Sequence, residues 1–166
     1  TAILTGLYPL ATGVRNNGNY YAPDSLVLLS EAFKKKGYKT GAFVGSFVLD
    51  SRFGLDQGFD VYDDDLADGR AKKSNFAFKD RRANMVVDRA LAWLKTLGGK
   101  DGRSFDPFFM WVHVYDPHDE YAPPEPFATE YAANPYDGEI AYADSQLGRI
   151  FQFLKETGVY DKAMSV

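Results

Sequence analysis

Apolar residues return at helical spacing in three stretches of the chain. Between residues 24 and 36 (DSLVLLSEAFKKK), Leu26, Leu29 and Phe33 share one face, as a 3.6-residue period requires. Asp24 is suited to the N-cap, the lysines at 34–36 favour the negative C-terminal end, and Gly37 fits the position just beyond it. A second helix is predicted over 80–97, with Ala83, Val86, Val87, Ala90, Leu91 and Leu94 inward and Gly98-Gly99 as its stop. A third is predicted over 138–157, turning Ile140, Ala143, Leu147, Ile150, Phe151 and Leu154 to the core before Gly158.

Between these helices lie shorter apolar runs of a different kind. Residues 39–49 (KTGAFVGSFVL) are rich in β-formers and read as a buried strand running into a turn. A brief strand is expected over 59–62. Residues 107–115 (PFFMWVHVY) form an unbroken apolar run of strand length, the pattern of a strand buried on both faces. Residues 63–79 are polar and charge-mixed, suited to a surface loop, and a proline-rich loop follows 115 as far as about residue 134. Helix and strand alternate, with a further strand expected from about Val166. The fold class expected is therefore α/β, with a mainly parallel central sheet flanked by helices.

Both ends of the chain read as cut inside an element. TAILTGLYP opens in what resembles a helix end without a cap, and Ala163 to Val166 stops where another strand is due. The expectation is an incomplete domain.

Composition narrows the chemistry. A chain of 166 residues, 45% hydrophobic, is long enough to bury roughly 70% of its unfolded surface. No apolar run approaches the ~20 residues that span a bilayer. The net charge of −4 disfavours a surface built for nucleic acid phosphates, while leaving room for a local cation to bind an anionic substrate. With no cysteine, disulfides, thiolate metal sites and cysteine nucleophiles are excluded.

Ligands of open α/β sheets bind at the carboxyl ends of the strands. The end of the 107–115 strand carries both histidines of the chain, in WVHVYDPHDEY. Alternation puts Trp111, His113 and Tyr115 on one face of the strand. His113 is most simply a packed, hydrogen-bonded core histidine. His118 falls in the loop beyond, beside Asp116, Asp119 and Glu120, where an imidazole can donate a hydrogen bond to an anionic ester or protonate its leaving group. Asp63-Asp64-Asp65 lacks the alternating oxygen ligands of a calcium loop and reads as a solvated acidic turn. No GxGxxG, Walker-type loop, GxSxG or HExxH occurs.

An ordered set of segments then identifies a relative. LTGLYP (Leu4 to Pro9) with GVRNNG (Gly13 to Gly18) resembles the stretch that follows the nucleophile in the sulfatase family of the alkaline phosphatase superfamily. The likeness continues through KKKGYKTGAFVGSFVLDSRFGLDQGFDVYDD (Lys34 to Asp64), FFMWVHVYDPHDEYAPPEPF (Phe108 to Phe127) and YDGEIAYADSQLGRIFQFLKETGVYD (Tyr136 to Asp161). It covers nearly the whole chain in order.

The resemblance implies a central segment of a catalytic domain that hydrolyses sulfate esters. A divalent metal, often calcium, neutralises the ester there while an activated nucleophile forms a covalent intermediate. His118 matches the histidine of the family's PH motif, which contacts the ester group, and is the expected catalytic residue. Arg15, Asn16 and His113 are candidates for substrate contact; a structural turn is the other reading of Arg15 and Asn16. The nucleophile and the metal ligands are expected outside residues 1–166, in the remainder of a parent chain. Typical sulfatases carry GKWHLG where this chain has GSFVLD, so Ser46 and Val48 replace the Lys and His that grip sulfate. Thr12 likewise stands where related sequences often have His before GVR. These departures leave room for a phosphodiesterase or phosphotransferase of the same superfamily, or for a non-catalytic α/β binding domain.

Overall fold

A computed structural model describes residues 1–66, 70–71, 79–99 and 104–166. Two short helices come first, α1 (Ala2–Thr5) and α2 (Pro9–Thr12), followed by α3 (Leu29–Lys35) and β1 (Lys39–Val44). Strands β2 (Val61–Asp63), β3 (Arg70–Ala71) and β4 (Lys79–Asp80) lead to α4 (Ala83–Leu97). The chain then forms β5 (Phe108–His113), α5 (Phe127–Glu130) and the long α6 (Pro135–Glu156).

The sheet that organises the fold has the order β2-β1-β5, and both pairings are parallel. In β1, Thr40 through Val44 are all buried, because strands lie on both sides and helices cover both faces. On one face Phe43 packs against Val86, Val87, Ala90 and Leu94 of α4 and Ile150 and Leu154 of α6. Each of these side chains other than Ala90 contributes about 1.5–3 kcal/mol on burial. On the other face Leu4, Ala22, Leu28 and Leu55 gather around Phe109 and Trp111 of β5. Phe108, Met110 and Val112 point to the α4 side and Phe109 and Trp111 to the opposite one, as period-two alternation requires. Gly41 faces Trp93 so closely that a Cβ would sit 2.9 Å from the indole ring, so the α4 indole packs directly on backbone.

Several elements depart from the pattern. Helix α3 begins at Leu29 rather than near Asp24; the Glu31 carboxylate accepts the Leu28 N–H at 2.8 Å, and Asp24 instead accepts the Tyr21 hydroxyl. The later start moves the buried face to Leu28 and Ser30 and leaves Leu29 exposed. Strand β1 stops at Val44, where the chain turns through Gly45 and Ser46 into a 3₁₀ turn at Phe47–Leu49. The brief strand expected at 59–62 lies at Val61–Asp63. Helix α4 starts at Ala83 because Arg82 is extended. Along α6, Ile140 and Phe151 are exposed while Glu139 and Tyr142 are buried. β5 is not buried on both faces: every residue from Phe108 to His113 is half-buried, because the strand borders the sheet rather than running through its middle.

The expected loop over 63–79 contains β3 and the start of β4, which pair antiparallel, while residues 67–69 and 72–78 lie outside the described residues. The acidic run at its start is not a solvated turn. Asp63 pairs with Arg81, itself only 1% exposed, and Asp64 accepts the Ser51 N–H at 2.7 Å. Asp65 is the exposed member, 3.8 Å from Arg89. A buried guanidinium recruits a carboxylate because leaving either charge unpaired out of water is costly.

Candidate active site

Parallel strands end together, so the carboxyl ends of β1, β2 and β5 form one rim. Arg81 fastens that rim: its Nε donates to the Val44 carbonyl at 2.9 Å and one terminal nitrogen donates to the Asp63 carbonyl at 2.8 Å. The other terminal nitrogen binds the Asp63 carboxylate and the Asp65 carbonyl. A planar fork with five donors can satisfy carbonyls from two strand ends at once, which an ammonium cannot do with the same geometry.

The register of β1 against β5 pairs Lys39 with Phe108 and Val44 with His113. It continues past the strands, for Gly45 N–H donates to the His113 carbonyl at 2.9 Å. A Cβ on Gly45 would lie 3.1–3.3 Å from the His113 and Arg81 carbonyls and the Tyr115 nitrogen, so only glycine fits this convergence of three backbones without displacing one. One residue further along, Ser46 lies close enough to the Tyr115 hydroxyl to affect its titration. Ser46 is buried.

Beyond Tyr115 the chain turns so that His118 folds back on it. The two rings stack with centroids 4.1 Å apart, and the Tyr115 hydroxyl lies 2.7 Å from His118 Nε2. The other ring nitrogen, Nδ1, is 2.8 Å from the Asp119 carbonyl. A buried carboxylate holds the backbone of this loop. Glu139, from the first turns of α6, accepts the His118 N–H and the Ala122 N–H, each at 2.9 Å. Asp116, also buried, accepts the Ala83 N–H at 2.7 Å and so tethers the loop to the N-terminus of α4. Burial raises the Tyr115 hydroxyl above the ordinary phenol value, with Asp80 adding to the effect and Ser46 opposing it. The residue therefore stays a neutral phenol, able to donate or accept.

The other histidine is a different object. His113 sits 6.4 Å from the rings of both Trp111 and Tyr115, and its buried Nδ1 has no hydrogen-bond partner among the described residues. The expectation of a core histidine hydrogen-bonded to a neighbour fails at that atom. Burial lowers its pKa below the ordinary histidine value, which keeps the ring neutral.

Arg15 and Asn16 lie elsewhere on the molecule's surface. With Thr12, Val48 and Leu49 they line a cleft of about 230 Å³ between the segment after α2 and the 3₁₀ turn after β1. Neither histidine lines this cleft. The sequence-derived candidates thus fall into separate settings: His118 on the rim loop, His113 in the strand, and Arg15 with Asn16 beside Val48. Sequence reasoning passed over Glu139, and it placed Asp116 and Tyr115 near the rim without giving either a role. Glu139 had a usable signal, since it precedes Tyr142 and Ala143 by helical spacing and so stands as an acid on the buried stripe of α6. Among the described residues no group of three or more His, Cys, Asp or Glu could hold a metal ion. These residues by themselves do not fit one. Among the described residues no helix is long and apolar enough to cross a membrane.

A three-stranded parallel sheet covered by helices, with a histidine loop at its carboxyl rim, defines an α/β domain. The chain belongs to the Sulfatase family, whose pattern it matches over residues 1–164. No curated protein sequence matches it. Among solved structures it resembles the putative sulfatase yidJ from Bacteroides fragilis (TM-score 0.70, 18% identity), covering 95% of this chain and 48% of that one. It is also similar to the phosphonate monoester hydrolase SpPMH from Silicibacter pomeroyi (TM-score 0.67, 16% identity), with 96% of this chain and 50% of that one covered. A third similar structure, BT4656, is a complex with its substrate D-glucosamine-2-N,6-O-disulfate; the TM-score is 0.57 at 20% identity, over 80% of this chain and 27% of that one. The chain spans about half the length of the first two.

Proposed function

We propose that the chain is a central segment of a metal-dependent hydrolase that cleaves sulfate esters, with His118 contacting the ester group. The observation that carries this reading is the frame around His118. The ring is stacked on Tyr115, both its nitrogens lie within hydrogen-bonding distance of oxygen atoms, and its backbone N–H is held by buried Glu139. A side chain that is to meet a tetrahedral anion in the transition state gains from being positioned in advance, because no reorganisation is then needed during reaction. His118 would donate a hydrogen bond to an ester oxygen, or a proton to the leaving group. Arg15 and Asn16, in their cleft beside Val48, are proposed as substrate contacts, and His113 as a more remote one. The metal, with calcium the ion expected from the family resemblance, would be held by residues outside this chain.

One observation favours a second reading, hydrolysis or transfer of phosphorus esters. Ser46 and Val48 supply no cation where sulfatases carry Lys and His, and one of the similar structures is a phosphonate monoester hydrolase. The test uses the full-length protein that contains this chain, assayed on aryl sulfate and aryl phosphodiester substrates with and without divalent metal. His118→Ala is expected to lower turnover of the preferred ester by roughly 10²–10⁴-fold while leaving the melting temperature near that of the wild type. Wild-type rates in that variant would sink the assignment.

A further inference from the structure

We propose that the cleft between the segment after α2 and the turn after β1 is a binding site for a tetrahedral oxyanion, with Arg15 as the cation that grips it. For the source of that anion, the charged group of the substrate, the proposal rests on the reading of Arg15 and Asn16 as substrate contacts.

The polar side of the cleft begins at Gly13, which ends α2 in the left-handed conformation with φ at 76°. From there Arg15, Asn16 and Asn17 line the cleft in succession. An asparagine that shapes a turn does so by hydrogen-bonding nearby backbone. Neither Asn16 nor Arg15 makes a side-chain hydrogen bond or ion pair among the described residues, and both are exposed. The donors of the guanidinium and the carboxamide are therefore free to meet an incoming oxygen.

The facing wall is apolar and fixed. Val48, Leu49 and Phe53 contribute to it, and the Tyr62 hydroxyl donates to the Leu49 carbonyl at 2.6 Å, which pins the turn. Arg15 is the one charged side chain that lines the cleft among the described residues. No Asp or Glu lines it, although the chain carries 23 acidic residues against 19 basic ones. A single guanidinium before an apolar wall selects an anion, and a ligand that displaces water from that wall strengthens the charge contact. Two parallel N–H groups of the fork match two oxygens of a sulfate or phosphate group. A volume of about 230 Å³ is small for a whole drug-sized ligand and suits the charged end of one.

The test uses the full-length protein that contains this chain. Calorimetric titrations with inorganic sulfate and with inorganic phosphate are run with and without divalent metal, so that anion held by a metal is told apart. Arg15→Gln is expected to weaken metal-independent binding about tenfold, the scale of one hydrogen bond to a charged group. Arg15→Lys should recover part of the loss, since the charge returns without the fork. Val48→His in the Arg15→Gln background should restore affinity at about pH 6, where an imidazole carries charge. Val48→Glu should weaken binding at least as much as Arg15→Gln, because it sets a carboxylate in the same cleft.

Competition against an aryl sulfate and an aryl phosphodiester assigns the source. An inorganic anion that raises KM, with an inhibition constant that depends on Arg15, supports a cleft that holds the substrate's own charged group. The same Arg15 dependence without any effect on KM supports the site for free anion and removes Arg15 from the substrate contacts. Equal affinity of wild type and Arg15→Gln for both anions would overturn the proposal, as would a wild type that binds neither without metal. In either case turnover that survives leaves the hydrolase reading standing. Arg15-dependent binding in a protein that cleaves neither ester would do the reverse. Should Arg15→Gln fail to fold, Val48→Glu decides: wild-type affinity in that variant overturns the site.

Discussion

Glu139, wholly buried on α6, receives the backbone N–H of His118 at 2.9 Å. Its second oxygen receives the Ala122 N–H at the same distance, so one carboxylate holds both ends of the turn that carries the candidate catalytic ring. Glu139→Gln keeps one acceptor and presents an amide N–H₂ to a backbone donor. The expected cost is about 1.5–3 kcal/mol of stability, the scale of a hydrogen bond to a charged group, with a fall in kcat as His118 loses its anchor. Denaturant titration and aryl ester kinetics on the full-length protein check the two effects together. A variant with wild-type stability and kcat would show that the turn holds itself.

Arg81 gives a prediction about the rim rather than the loop. Replacing it with methionine removes four hydrogen bonds that tie the ends of β1 and β2 and leaves the mostly buried Asp63 carboxylate without its close partner. Breaking a buried pair from one side costs about 3–5 kcal/mol. Arg81→Lys should recover only part of that, since an ammonium cannot reach carbonyls on two strands in the same plane. Equal melting temperatures for Arg81→Lys and wild type would contradict the role of the fork.

How much of this was legible beforehand depends on what each signal measures. Periodicity reports burial, and it found α4 almost residue for residue because one stripe of that helix meets one sheet face. It misread β5, since an unbroken apolar run speaks of low polarity and not of whether a strand is central. It also missed Glu139, a charged residue that a hydrophobic stripe predicts should not be inward. The family motif pointed to His118, whose ring meets its chain neighbours Tyr115 and Asp119, but the carboxylate that holds its backbone comes from position 139. Only the fold brings Glu139 to that loop, through the crossing of α6, and this cannot be read from residues near His118 in the chain.

His113 supplies a pH dependence. Burial holds its folded pKa below the ordinary value of 6.5, so the unfolded chain takes up the proton first. Stability contributed by the neutral ring is complete above that value and declines as pH falls below it toward the folded pKa. His113→Phe removes the titrating group and the unpartnered Nδ1 together. Its melting temperature should therefore fall less than that of the wild type between pH 7 and about 5, with little loss at pH 7. Parallel melting curves for the two proteins over that interval would count against the buried neutral histidine.

The shared register of β1 and β5 reaches beyond stability and catalysis to inheritance. Val44 pairs with His113, and the same offset sets Ser46 against Tyr115 two residues later. Insertion of a single residue into either strand would turn every following side chain to the opposite face and separate the serine from the tyrosine. The spacing along β1 and β5 can therefore tolerate substitution but not a change of length.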